Sequence, residues 1–281
     1  LNIGGAERSL MNILAGGLAS NYETTVICLN KEGPLAQPIR EMGVPVISLL
    51  GSNGRLSLKS LVRLRTIVKQ FKPDLIQGWM YHANFVTTLI ALSAGRRIST
   101  SWNIRQTLYD LKKEKFKTKI IIYLTRYLSN KPSTLIYNSQ LSKQQHEALG
   151  YSSNNGVVIH NGINTEKYSH SETLRKKWRS TLNIRPDHKL VGHIARFHPM
   201  KDHASFLKAA VKICDMRTDT HFVLCGREVT YDNNHLSNII PSQYQNRFHL
   251  IGELENAHEL FDAMDLFCLL YTSPSPRDRY I

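Results

Sequence analysis

Arg196 and Lys201 are the residues of this chain best placed for chemistry, in the run Val191-Gly192-His193-Ile194-Ala195-Arg196-Phe197-His198-Pro199-Met200-Lys201-Asp202. The apolar stretch reads as a strand that delivers Arg196 to its carboxyl end. Pro199 then breaks the chain, and Asp202 is a candidate N-cap for the helix that follows. Two cations beside a helix N-terminus are what a diphosphate requires, with Arg able to grip two oxygens at once. The same letters could also be two surface cations on a loop. His82 stands in Gly78-Trp79-Met80-Tyr81-His82-Ala83-Asn84, where a strand gives way to a helix. There an imidazole can share a hydrogen bond with a sugar hydroxyl or a phosphate, or simply cap and pack the helix. Glycines mark further places where backbone can approach a ligand. Gly4-Gly5 would open the first helix, where N–H groups favour an anion. Gly226 closes the run 221–225, and Ile251-Gly252 closes the next. Each is equally readable as an ordinary turn, and Asn161-Gly162 is most simply one.

Such residues need strands that end beside one another. Short β-branched runs at 24–29, 45–48, 75–78, 98–102, 134–137 and 157–160 alternate with helical stretches at 6–19, 35–42, 58–71, 83–94, 112–128 and 139–149. After a polar connector at 164–171 come strands at 189–194, 221–225 and 248–251 and helices at 172–182, 202–214 and 257–263. Strand–helix alternation of this kind demands parallel sheets covered on both faces. The expected fold is α/β, two tandem Rossmann-like doubly wound domains over 1–165 and 172–267, with ligand loops at the strands' carboxyl ends facing a cleft. Leu58, Leu61, Val62, Leu64, Val68 and Phe71 have the spacing of one buried helical face. A strand is expected before Leu1. Only three or four strands fit in the second domain, so strand 189–194 or its neighbour is expected as an unpaired edge.

The composition agrees with that organisation. With 281 residues, 42% hydrophobic and 21% charged, disorder, collagen and coiled coil are excluded, and no apolar run approaches a membrane span. Cys28, Cys214, Cys225 and Cys268 lie far apart in neither a disulfide nor a metal-site spacing, and the first three read as buried thiols. The net charge of +14 is concentrated between Arg55 and His146, where 17 Lys and Arg face only Asp74, Asp110 and Glu114. Lys112, Lys113, Lys115, Lys117 and Lys119 precede Ile120, Ile121, Ile122, Tyr123 and Leu124. A basic helix with an apolar face suits an anionic membrane surface, and equally a solvated helix packed on a core. The aromatic and basic interleaving of nucleic-acid binders is missing, so no nucleic-acid partner is expected.

The motifs GGAER, WMYHAN, YNSQ, VIHNGIN, HIARFHPMKDH, FVLCGRE and FHLIGELEN, in this order, resemble the GT-B superfamily and within it the retaining family 4 glycosyltransferases of bacterial envelope polysaccharide assembly. The resemblance runs from Leu1 to about Phe267. It implies an acceptor-side first domain and a nucleotide-sugar-binding second domain. Gly4 and Gly5 then belong to the loop near donor and acceptor, and His82 is the catalytic residue near the transferred sugar. Arg196 and Lys201 hold the donor diphosphate, and Gly226 and Ile251 line the nucleotide. The implied partners are a nucleotide sugar and a lipid-linked or glycan acceptor, with no cofactor and no metal, since the cations neutralise the diphosphate. The implied location is the cytoplasm, at the inner face of the membrane. The family's next loop, with two glutamates, is not matched: residues 268–281 carry none and resemble a translated sequencing adapter. They are expected to be a non-native tail, and the chain as it stands an inactive piece of a longer enzyme. A nucleotide-sugar epimerase of the same architecture, or a non-enzymatic binder of anions or membrane surfaces, are the alternatives.

Overall fold

The computed structural model describes residues 1, 4–50, 57–95, 97–108, 111, 116–165 and 168–270. These form two compact units, Leu1–Asn164 and Thr165–Ile281.

In unit 1, β1 (Val26–Cys28) pairs in parallel with β2 (Val46–Ser48). A second parallel sheet has the order β3 (Leu75–Trp79), β4 (Ser99–Ile104), β5 (Thr134–Tyr137), β6 (Gly156–Val158). The helices between them are α1 (Gly5–Ile13), α2 (Ala36–Glu41), α3 (Leu58–Phe71), α4 (Met80–Ser93), α5 (Phe116–Leu128) and α6 (Gln140–Ala148). Serine hydroxyls begin two of them: Ser57 accepts from the Ser60 N–H and Ser139 from the Ser142 N–H. Such a cap satisfies a donor that the first turn leaves unpaired, at about 1 kcal/mol.

One cluster of unit 1 joins Trp102 and Ile104 of β4 to Leu135 and Tyr137 of β5, Tyr81 of α4 and Ile122 of α5. Another packs Leu64 and Val68 of α3 against Leu49, Ile90 and Ile98. Helix α3 spans the expected residues but buries a narrower stripe. Leu58 is 82% exposed and Val62 65%, while Leu64 and Val68 are buried. Periodicity shows which way an apolar stripe faces, not how wide the surface opposite it is. Residues 112–115, expected as the start of α5 and holding Lys112, Lys113 and Lys115, lie outside the described residues, as does Arg55.

Unit 2 contains a parallel sheet in the order β10 (Leu266–Phe267), β7 (Lys189–Ile194), β8 (Thr220–Cys225), β9 (Phe248–Leu250). Its two longer helices are α7 (Glu172–Thr181) and α8 (His203–Met216). Every residue of β8 is buried. Phe222 and Leu224 pack on Phe206, Leu207 and Ala210 of α8, whereas Val223 and Cys225 pack on Leu182, Leu260 and Met264. That division is the two-residue period of a strand covered on both faces.

Of the two expected open edges, β7 is not one: Leu266 pairs with Val191 and Phe267 with Gly192, so β7 is flanked on both sides, and its neighbour β10 stands at that edge of the sheet. What docks this short strand is Asp265, which accepts from the Leu190 N–H at 2.7 Å, Arg175 at 2.7 Å and Arg179 at 3.1 Å. Burial opposes ionisation of Asp265, but these donors prevail and hold its pKa below the usual carboxylate value. Cys268 and Leu270 continue onto the core of α8 and β8, beyond the boundary expected at Phe267. Residues 271–281 lie outside the described residues. All four cysteines are free, and Cys28, Cys214 and Cys225 are buried.

Candidate functional site

Parallel strands place their carboxyl ends on one edge of a sheet, and at this edge of unit 2 the loops are tied to one another through backbone. Ala195 N–H donates to the Cys225 carbonyl at 2.9 Å, and Phe197 N–H to that of Arg227 at 2.8 Å. Gly226 N–H donates to the Gly252 carbonyl at 2.8 Å. Gly226 has φ +153°, and a Cβ there would lie 2.5 Å from the Ala195 carbonyl carbon and 2.8 Å from Arg196 N. The space left by this glycine is thus filled by the chain that carries Arg196. The Ile251 N–H donates to the Leu224 carbonyl at 3.0 Å, and its side chain packs against the Leu182–Leu260 cluster.

Arg196 is exposed and forms no hydrogen bond or ion pair among the described residues. The chain then makes a single 3-10 turn, Pro199–Lys201, in which His198 accepts from the Met200 N–H and Lys201 N–H donates to the His198 carbonyl at 2.8 Å. Asp202 caps α8 as the sequence predicts, from a left-handed φ of 47°, its carboxylate accepting from Ser205 N–H. One consequence is electrostatic. A carboxylate already sits at this helix N-terminus, so Arg196 and Lys201 supply most of the attraction for an anion here. Sequence reasoning passed over His203. It is buried, and its Nε2 lies 3.1 Å from the Ala195 carbonyl. A carbonyl can only accept, so Nε2 carries the proton. Burial, reinforced by His193, pushes the His203 pKa down to about 4. A neutral imidazole therefore braces the residue before Arg196; the letters Lys-Asp-His were its only signal.

In unit 1, Gly4 is the extended N-cap of α1, and Gly5 begins the helix with open space where a Cβ would stand. Helix α4 begins at Met80, three residues before the expected start, and Met80 itself takes a left-handed φ of 68°. That conformation costs an L-residue about 1–2 kcal/mol. His82 lies in the first turn, exposed and without a partner among the described residues. The neighbouring Tyr81 is anchored beneath, its hydroxyl 2.8 Å from His146 Nε2, while His146 Nδ1 lies 2.7 Å from the Ser142 carbonyl. Nδ1 must donate, so Tyr81 donates to Nε2. Burial lowers the His146 pKa to about 4.

The sequence reading also missed Arg105, one residue past β4. Its guanidinium contacts Ser9 of α1 and Asn161 beyond β6, and donates to Asn103 Oδ1 at 3.2 Å. It lies 5.4 Å from the centre of the Trp79 ring. Arg105 thereby links α1, which begins at Gly5 after its N-cap Gly4, to the junction of β3 and α4 that carries His82. A groove of about 720 Å³ beside His221, Phe248 and His249 is at the other end of the unit 2 sheet, away from Arg196.

Two family models match this chain in succession. The model described as Glycosyltransferase Family 4 covers residues 3–167. The chain belongs to that family. The model for Glycosyl transferases group 1 covers residues 175–274. This glycosyltransferase is 23% identical over 293 residues to EpsF of Bacillus subtilis (strain 168), a protein named as a glycosyltransferase, covering 96% of this chain and 70% of that protein. Among solved structures it is similar to Anabaena Alr3699/HepE in complex with UDP, with TM-score 0.79 and 22% identity over 97% of this chain and 72% of that one. It is also similar to a glycosyltransferase from Rickettsia africae ESF-5, with TM-score 0.80 and 16% identity over 98% of this chain and 72% of that one. The fold is GT-B, as the resemblance implied.

Proposed function

We propose that this glycosyltransferase moves a sugar from a nucleoside-diphosphate sugar to a lipid-linked or glycan acceptor, with retained anomeric configuration, in bacterial envelope or exopolysaccharide synthesis. The observation that carries the donor assignment is the braced loop of unit 2, which presents Arg196 and Lys201 at the carboxyl edge of a parallel sheet. The complexes of Anabaena HepE with UDP and with UDP-glucose support uridine nucleotides as the first donors to test.

In this reading an acceptor hydroxyl attacks the anomeric carbon while the bond to the diphosphate breaks, and the hydroxyl proton leaves with the diphosphate. Negative charge grows on the leaving group as the sugar gains oxocarbenium character. Arg196 and Lys201 bind that charge more tightly than they bind the ground state, a preorganised effect where one donor is worth roughly 3 kcal/mol. His82 orients the sugar hydroxyls. Gly4 and Gly5 let backbone approach donor and acceptor, and the loops of Gly226 and Ile251 line the nucleotide. The two cations neutralise the diphosphate in place of a metal.

The enzyme works in the cytoplasm at the inner face of the membrane. Support comes from α5, where Phe116, Ile120, Tyr123, Leu124 and Tyr127 are all exposed on a helix that also carries Lys117, Lys119 and Arg126. Apolar and aromatic side chains beside cations suit an anionic lipid interface.

The donor assignment is tested by calorimetric titration of UDP-glucose into the wild type, Arg196→Ala and Lys201→Ala. Each variant is expected to bind about tenfold or more weakly, the loss of one charge-assisted contact. Unchanged affinity in both variants would overturn it.

A further inference from the structure

Among the described residues, Arg105 is a charge without a counter-charge. All its described hydrogen-bond partners are neutral: Asn103, Ser9 and Asn161. Among the described residues its Nε is buried with no partner, and one N–H of Nη1 is also unused. Burial lowers its pKa, and no described neighbouring charge opposes that shift. A guanidinium half-withdrawn from water with only neutral oxygens around it is costly, and a fold keeps one cheaply only where an anion completes the site.

The surroundings are also too elaborate for a surface cation. Ser9 is 96 positions from Arg105 and Asn161 is 56, so folding gathers α1, β4 and the segment after β6 around one side chain. Trp79, at the end of β3, presents its ring face to the guanidinium at 5.4 Å, within cation–π range. The chain that follows is held too: Ser142 donates to the Gln106 carbonyl at 2.7 Å, and Gln145 accepts from the Leu108 N–H at 2.7 Å. An arginine fixed at the carboxyl edge of a parallel sheet, with N–H groups to spare, is a preorganised oxyanion receptor.

We propose that Arg105, oriented by Ser9, Asn103, Asn161 and Trp79, binds a phosphate carried by the acceptor. The inference rests on the reading of the reaction as sugar transfer to an acceptor. In that reading the donor's diphosphate already has Arg196 and Lys201, in unit 2. A sugar hydroxyl acceptor has no charge of its own and needs no guanidinium, whereas a lipid-linked acceptor brings a phosphate. The exposed apolar face of α5, in the same unit as Arg105, fits the lipid part of such a molecule.

The test titrates farnesyl phosphate and farnesol, with and without the phosphate on one lipid, into the wild type, Arg105→Lys and Arg105→Gln, with UDP titrated into the same proteins. The wild type is expected to bind farnesyl phosphate about tenfold or more tightly than farnesol. Arg105→Gln should lose that preference. Arg105→Lys keeps the charge without the fork, should retain part of the preference, and serves where the glutamine variant does not fold. UDP affinity should stay within about twofold of wild type throughout. Equal binding of farnesyl phosphate by all three proteins overturns the proposal. A parallel loss of UDP affinity overturns it too, and assigns Arg105 to the donor. If UDP binding proves independent of Arg196 while the farnesyl phosphate preference tracks Arg105, the donor reading falls and the acceptor site stands.

Discussion

The carboxyl edges of the two sheets are built by opposite means. In unit 2 the backbone does the organising: Gly226 seats against Ala195, Phe197 is bonded to Arg227, His203 braces Ala195, and Arg196 itself is left reaching into solvent. In unit 1 side chains do it: Arg105 is held by Ser9, Asn103 and Asn161 over Trp79, and no tight loop is required. A rigid loop with an open cation suits a group whose charge grows during the reaction. A cation already locked by neutral partners suits a group whose charge is constant from binding to release. Substitutions should therefore be felt through the backbone in unit 2 and through side chains in unit 1.

Glycine substitutions give the largest expected contrast. Gly226→Ala drives a methyl group into the Ala195 backbone from a strained φ, and should destabilise unit 2 by about 4 kcal/mol and abolish UDP binding. Gly4→Ala meets only the flexible Glu7 side chain at an extended φ, and should cost less than about 1 kcal/mol. Thermal unfolding of the two variants checks this, and similar losses would erase the distinction.

Acid comes next, and it strikes both units. His146 in unit 1 and His203 and His221 in unit 2 have folded pKa values near about 4 against an ordinary 6.5, chiefly through burial. The unfolded chain therefore binds more protons between those values. Stability should be complete above about pH 6.5 and fall steadily towards about pH 4, His146 alone accounting for on the order of 3 kcal/mol. Urea unfolding at pH 7 and pH 5 measures the slope, and equal stability at both would contradict the neutral, buried assignment. The smallest effect is expected at α5. Replacing Lys117 and Lys119 with Gln should weaken binding to anionic vesicles by about 2 kcal/mol and leave UDP binding alone. Equal binding to neutral and anionic vesicles would return these lysines to an ordinary solvated face.

The same contrast explains what could be read from the sequence. Strand–helix alternation, the cap at Asp202 and the loop of Arg196 and Lys201 are local features, written in consecutive letters. The strand 134–137 and the helix 58–71 were readable for that reason. Strand β10 was not, because two residues carry no periodicity and the groups that dock it through Asp265, namely Arg175, Arg179 and the Leu190 N–H, are 75 or more positions away in sequence. Gly226 was legible as a place of close approach, but the sequence could not say whether ligand or neighbouring chain fills it. Arg105 stayed hidden in a basic segment because its partners are distant in sequence, and His203 because a buried, braced imidazole spells the same as a surface one.

Sugar transfer by this protein requires unit 2 to hold the diphosphate of the nucleotide. Calorimetric titration of UDP and of UMP into the wild type and into an Arg196→Ala, Lys201→Ala double variant isolates that contribution. UDP should bind the wild type about tenfold or more tightly than UMP, and the difference should disappear in the double variant. Equal affinities for UDP and UMP in the wild type, or a preference for UDP that survives the loss of both cations, would contradict it.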